Sequence, residues 1–336
     1  IALSSDGTSL LLDGTAIGGG GGDPDLYRDN ASSATTPSAT GTNAVAIGNN
    51  SVSSGTDSMA IGMSTVAAST RAVVLGGSSQ AYGINSVTLG FAATVQSGGT
   101  DSSALGTRSQ IGSNATGATA IAKSYASGAD SFAAAITNNG SSYGATGANG
   151  VAIGQLAKAG SAGQSVAIGG SCIASGTSSI AISGYFASAT GSGSLAIGQY
   201  AAASGINSIS IGYRSKANTQ GKIALSAGAT SGIGSGAGHQ QRGIYILKGA
   251  TTDATQKVLT GLGNTADASN SWVLENNASH AFSGTVIARQ DGTDGDDYAA
   301  WEVKGAVMRA DTAATTVVGV AIVNSLYHTA GAAAWA

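Results

Sequence analysis

A single cysteine, Cys172, rules out an intrachain disulfide. If the chain works outside a cell, something other than cross-links must hold it, and association of copies is the expected substitute. The two prolines, Pro24 and Pro37, both precede residue 43, so no later segment carries the residue that interrupts a sheet ladder. Charged residues make up 9% of the chain and aromatics 5%, far from ordinary globular usage. The formal net charge of −3 offers no basic footprint for nucleic acid or an anionic membrane surface, so neither is expected as a partner. The longest apolar runs, such as Val320–Val323, are far too short to span a bilayer, and no membrane insertion is expected. The chain stops at Ala336 inside an apolar stretch, which sets the expectation that it is part of a longer polypeptide.

What fills the space is glycine, 53 residues of it, and a 42% hydrophobic fraction placed with strict order. Ala-Ile-Gly or a close variant recurs with its central aliphatic at Ile47, Ile61, Leu75, Leu89, Leu105, Ile121, Ile136, Ile153, Ile168, Ile182, Ile197, Ile211 and Leu225, at spacings of 14 to 17 residues. Between copies lies a second half-motif closing on glycine: Tyr125-Ala-Ser-Gly128, Ala157-Lys-Ala-Gly160, Ile173-Ala-Ser-Gly176 and Ala202-Ala-Ser-Gly205. Each repeat therefore holds two short strands and two turns, the signature of a solenoid coil.

In Asn43-Ala-Val-Ala-Ile-Gly48 the two-residue strand period puts Val45 and Ile47 on one face and Ala44 and Ala46 on the other. Both faces are apolar, so the strand should be buried twice, once in its own coil and once against another surface. The expectation is that the aliphatics fill the coil while the alanines let identical chains approach around a shared axis. The glycine after each aliphatic suits a corner that needs positive φ. Stacked at about 4.8 Å per strand, roughly 13 coils make a rod on the order of 60 Å long.

The segments Asn43-Ala-Val-Ala-Ile-Gly48, Ser165-Val-Ala-Ile-Gly169, Ser194-Leu-Ala-Ile-Gly198 and Tyr200-Ala-Ala-Ala-Ser-Gly205 resemble the head repeats of trimeric autotransporter adhesins of the Yersinia type. The resemblance covers about residues 43 to 228 and is carried by multiplicity. It implies a left-handed parallel β-roll, three chains to a head, exposed outside a cell. The same repeats also resemble modules of phage tail and neck fibres.

The fold expected is thus all-β: a left-handed parallel β-roll of about 13 coils, homotrimeric, with a C-terminal antiparallel β domain. Residues 1–42, with the Gly18–Gly22 run, read as an N-terminal β-element and connector, 43–230 as the shaft, and 231–243 as a glycine-rich hinge. Residues 244–336 hold all three tryptophans and are expected to have a core of their own, as a β-sandwich or a three-chain β-prism. Their alternating runs 281–289, 301–309 and 315–323 read as antiparallel strands. The segment Ser279–Val320 is similar to C-terminal domains of phage tail fibres.

Candidate sites are few. Asp291-Gly-Thr-Asp-Gly-Asp-Asp297 could wrap a hard cation, but its spacing fits no EF-hand and a solvated hairpin turn explains it better. Glycan cleavage needs a carboxylate pair, and the repeats hold only the scattered Asp57, Asp101 and Asp130. Asp296, Asp297 and Glu302 at the tip are a weaker match to that chemistry than to the turn. The three histidines, His239, His280 and His328, show no zinc spacing, and Cys172 stands where an alanine would. No catalytic, metal or cofactor site is expected. Tyr298 and Trp301, beside Asp294, Asp296 and Asp297, are the candidates for contact with a receptor, since aromatic faces bind sugars and anchor interfaces.

The function expected is a structural, non-enzymatic segment of a trimeric phage tail fibre, located on the virion, that presents or forms a host receptor-binding tip. Its expected partners are its own copies, a host-surface glycan or protein, and other fibre proteins at its N-terminal end. The alternative is the head of a bacterial adhesin on a cell surface, and a glycan-degrading tailspike is the third reading.

Overall fold

The computed structural model describes residues 2–3, 10–12, 15–17, 35–134, 142–160, 163–226, 241–251, 256–261, 265–267, 269–272, 274, 276–290, 297–319 and 321–335. The chain divides into two compact units, 1–244 and 245–336. In the first, Ala2–Leu3, Leu10–Leu12 and Thr15–Ile17 form an antiparallel meander. From Ser38 onward the chain winds as a β-solenoid. Its three-residue strands, Val45–Ile47 through Ile223–Ser226, stack in parallel as one long sheet, and two-residue strands, Ser38–Ala39 through Lys216–Ala217, stack as a second.

Each sheet has 13 parallel strands from consecutive coils among the described residues, in agreement with the repeat count. Ser38–Ala39 already belongs to the first coil, so the shaft begins slightly before residue 43. In the seventh coil the sequence reading put Ile136 at the repeat position. The strand is instead Phe132–Ala134, with Ala134 in register with Ile121 and Ile153, and Ile136 lies outside the described residues.

The interior corrects the expected assignment of faces. Ala60, Ala104, Ala120, Ala152, Ala181 and Ala196 of the long sheet face Ala67, Ala126, Ala159, Ala174 and Ala203 of the short one, all fully buried. The aliphatic partners, Val45 and Ile47 onward, point out. Two sheets joined by corners of a few residues lie close together, so small groups fill most of the space between them and branched side chains such as Val74 and Thr88 enter only singly. The exception supports this reason. Val95 and Ile111, the bulkiest enclosed neighbours, sit where successive repeats lengthen to 16 residues. There Gly99 makes room: a Cβ on it would lie 2.8 Å from Val95 Cγ1 and 3.2 Å from Ile111 Cγ2.

The corners have their own chemistry. After most outward aliphatics a glycine takes positive φ, as at Gly48 (112°), Gly62 (133°) and Gly76 (127°). These glycines stack on one another, so a Cβ on Gly62 would come 2.6 Å from the carbonyl oxygen of Gly76. At the opposite corner, left-handed residues form a polar ladder. Asn43 Nδ2 donates to Asp57 Oδ1 at 2.9 Å, Arg71 Nε to Asn85 Oδ1 at 2.6 Å, and Asn85 Nδ2 to Asp101 Oδ1 at 2.7 Å.

Part of the segment read as a hinge is structural. Gln241–Ile244 pairs antiparallel with Ile223–Ser226 and ends the long sheet, while the Gln241 carboxamide accepts from the Lys216 backbone N–H at 2.7 Å and donates to its carbonyl at 3.0 Å. Gly232–Gly238 lies outside the described residues.

In the second unit, Ala278–Arg289 and Tyr298–Arg309 form a 12-residue hairpin, extended by Thr316–Val318 and Ile322–His328 into a four-stranded antiparallel sheet. The first two strands lie where alternation placed them, but the run 315–323 divides into Thr316–Val318 and the start of a separate strand that continues to His328. The expected core is not there: among the described residues only Leu274, Ala299 and Ala332 are buried hydrophobics, while Ile287, Val318 and Val323 are each more than 60% exposed. The described residues make a single sheet, without the second sheet a sandwich requires.

Candidate functional site

The most extensive apolar surface of the first unit is the outer face of the long sheet. Because the alanine of each Val-Ala-Ile triplet points inward, the flanking residues point outward by the strand period. In most rungs the pair is aliphatic, as at Val73 and Leu75, Val87 and Leu89, Val151 and Ile153, Ile180 and Ile182, Ile209 and Ile211, while Ser103, Thr119 and the Phe132–Ala134 rung depart from this. Leu89 is 49% and Ile211 38% exposed. An aliphatic band of this length is far larger than the apolar patches that soluble monomers leave open.

The outer face of the short sheet differs in kind. Its positions include Val52, Val66, Gln80, Thr94, Gln110, Tyr125, Lys158, Ile173, Ser188, Ala202 and Lys216, a more polar mixture. The contrast between the two faces identifies the first as the one that needs a partner. Covering a half-exposed aliphatic contributes on the order of 1 kcal/mol, and the band repeats such a gain at most coils. The exposed faces of the C-terminal sheet make the same demand in the second unit.

The residues expected to touch a receptor are separated by the structure. Tyr298 is 43% exposed and stacks on Tyr327, with ring centroids 5.2 Å apart. Trp301, three residues on, lies on the opposite face of the same strand, across from Val286, and is half-buried. The two therefore cannot share one platform. Asp297 Oδ1 accepts a hydrogen bond from Thr329 Oγ1 at 2.6 Å, which ties the start of one strand to the end of another. Asp294 and Asp296 lie outside the described residues. Tyr327, the actual partner of Tyr298, was not singled out from sequence because the pairing spans 29 residues and depends on register.

Electrostatics around this sheet are mild. The hydrogen bond with Tyr327 raises the Tyr298 phenol above its ordinary value. Lys304, 2.8 Å from Glu302, holds that carboxyl below its ordinary value. Trp272 Nε1 donates to His280 Nδ1 at 3.1 Å and the two rings stack, which places His280 in a packing role with Phe282 and Tyr245. His239 lies outside the described residues. Among the described residues no three His, Cys, Asp or Glu side chains gather, and no helix is long and apolar enough to cross a membrane.

Cys172 is fully buried at the coil position held by Ala157, Ala187 and Ala201 in neighbouring rungs. Burial raises its thiol above the ordinary value, the state of an inert side chain.

Comparison with known families adds one match. Residues 39–65, 145–171, 174–201 and 203–221 match the family model described as the YadA head domain repeat. No curated protein matches the chain.

Proposed function

From a solenoid that carries YadA head domain repeats, the head repeats of trimeric autotransporter adhesins, we propose that this chain is part of the head of a trimeric surface adhesin, which attaches without catalysis. The observation that carries the reading is the largely aliphatic band on the outer face of the long sheet, relieved only at rungs such as Ser103, Thr119 and Ala134, against a more mixed face on the short sheet. Three identical chains that turn this band toward a common axis cover it completely and leave the polar faces to solvent. The coils then run as a left-handed roll, and the C-terminal sheets find in neighbouring chains the packing they lack within one.

The family match concerns adhesin repeats, so a cell-surface adhesin takes precedence over the phage tail fibre expected from residues 279–320. The virion setting has no support of its own. Absence of catalysis rests on how the shaft carboxylates are used: Asp57 and Asp101 serve the corner ladder as hydrogen-bond acceptors. An extracellular location, attachment to a host-surface molecule and self-association follow from the adhesin reading.

Light scattering on the purified chain tests the assembly. Three chains of 32.1 kDa give about 96 kDa. A stable monomer would overturn the shared-axis reading. Binding of the fluorescently labelled chain to host cells, saturable and blocked by unlabelled chain, tests attachment.

A further inference from the structure

One corner of the shaft changes character over three consecutive coils. The left-handed position after the outward aliphatic holds Asn50, Ser64, Ser78, Ala92, Arg108, Leu156 and Ser171 in earlier coils, then Phe186, Tyr200 and Arg214 near the C-terminal end, with φ of 55°, 59° and 53° for these three. These three stack along the rod. Phe186 and Tyr200 lie nearly parallel with centroids 5.5 Å apart, and the Arg214 guanidinium sits 5.6 Å from the Tyr200 ring centre. Tyr185 packs edge-on against Phe186 at 4.2 Å, and Tyr213 edge-on against Tyr200 at 6.1 Å with Arg214 5.3 Å from its ring centre. Tyr185, Phe186 and Tyr200 remain 46%, 41% and 38% exposed.

A left-handed backbone disfavours bulky side chains, so two aromatics on successive rungs there are costly choices for the coil alone. The corner is also not uniform along the rod. Among the described residues this left-handed position holds an aromatic ring only at Phe186 and Tyr200, and small, polar, charged or aliphatic side chains in the other coils.

Charge adds a second, independent observation. None of the chain's 17 acidic residues falls between Ser131 and Ile244, while Lys158, Arg214, Lys216, Lys222 and Arg242 do. The aromatic corner therefore lies in a stretch of one sign, on a chain whose net charge is negative. Flat rings with tyrosine hydroxyls suit the C–H faces and hydroxyls of a pyranose, and an adjacent guanidinium suits a carboxylate in bidentate geometry.

Resting on the adhesin reading, we infer that the corner formed by Tyr185, Phe186, Tyr200, Tyr213 and Arg214 is a binding platform for an acidic polysaccharide. Sugar rings lie along the aromatic ladder and a uronate carboxylate pairs with Arg214. Attraction from the acid-free stretch makes the binding salt-sensitive.

The test is calorimetric titration of the full chain with a hexasaccharide of alternating glucuronate and N-acetylglucosamine, against neutral chitohexaose. The acidic probe is expected to bind, and the neutral one to bind about tenfold more weakly or not at all. Tyr200→Ala and Arg214→Gln are each expected to weaken the acidic probe by about tenfold while leaving the light-scattering mass unchanged. Equal binding of both probes, absence of binding by the acidic one, or full binding by the double variant overturns the proposal. A fall in mass for Tyr200→Ala also overturns it, since the corner would then be a contact between copies. Host-cell attachment is measured in parallel. Wild-type attachment retained by the double variant leaves the adhesin reading standing and removes the platform, whereas no attachment by wild type removes the adhesin reading while the titration still decides the platform.

Discussion

Ala152 and Ile153, neighbours in the chain, lie on opposite sides of one strand: Ala152 is fully enclosed between the two sheets and Ile153 is 36% exposed on the outer face. The pair defines two different mutational sensitivities. Ala152→Leu forces extra volume between close-packed sheets and is expected to cost about 1–3 kcal/mol or more, read as a lower Tm by circular dichroism. Ile153→Asp leaves the coil interior untouched and places a charge on the aliphatic band. Its expected effect is a lower light-scattering mass with β-sheet signal retained.

Two residues apart, Gly62 and Ser64 both have positive φ for different reasons. Gly62 has φ of 133° and its stacked neighbour leaves no space for a Cβ, whereas Ser64 at 55° occupies the left-handed region that L residues can reach. Gly62→Ala is expected to destabilise by about 1–3 kcal/mol in denaturant unfolding. Ser64→Gly should change stability by less than about 1 kcal/mol, since relief of the left-handed conformation offsets the added freedom of the unfolded chain.

Cys172 should resist thiol reagents in the folded protein and react at once in denaturant, because its sulfur is enclosed and its thiol is held above the ordinary value. Cys172→Ala reproduces Ala157, Ala187 and Ala201 in adjacent coils, and Tm is expected to move by the equivalent of less than about 1 kcal/mol. Rapid modification of the native chain would contradict the closed interior.

The Tyr298 phenol, raised by its hydrogen bond with Tyr327, should ionise above the ordinary tyrosine range. The folded state favours the neutral phenol, so whatever the pair contributes to stability is present below the unfolded tyrosine value and lost as pH rises through the folded one. Ultraviolet difference titration of Tyr327→Phe is expected to return Tyr298 toward its ordinary value. An unchanged titration would show that the two hydroxyls do not interact.

How far these features were legible from sequence depends on what each signal encodes. The recurrence of Ile47, Ile61, Leu75 and their successors fixes the number of coils, because every rung must return to the same register. The two-residue period shows that Ala46 and Ile47 face opposite ways but not which way is in. Both sides are apolar, and only the distance between the sheets decides in favour of alanine. In the C-terminal unit, alternation located the hairpin through Ala281–Arg289 and Trp301–Arg309, whereas the concentration of tryptophans suggested a core that the four described strands do not build. Strand pattern reports that a face is apolar, and is silent on whether the chain covers it itself. The partnership of Tyr298 with Tyr327 and the aromatic ladder at Phe186 and Tyr200 depend on register between distant segments. The trace of the ladder in sequence is that aromatics stand 14 residues apart at a corner held by varied side chains in the other coils.

Gln241 gives the shaft a defined length. A stack of parallel strands offers the same hydrogen-bonding edge after every coil, so nothing in the repeat itself says where growth stops, and an open edge is a template for further strands from any source, including fibril formation. The antiparallel strand that starts at Gln241 covers the last rung of one sheet, while its carboxamide, acting in place of a peptide group, engages the last rung of the other. At this end of the shaft the parallel template is therefore interrupted in both sheets, by a strand of opposite direction in one and by a side-chain amide in the other, so the next segment cannot simply continue the coil.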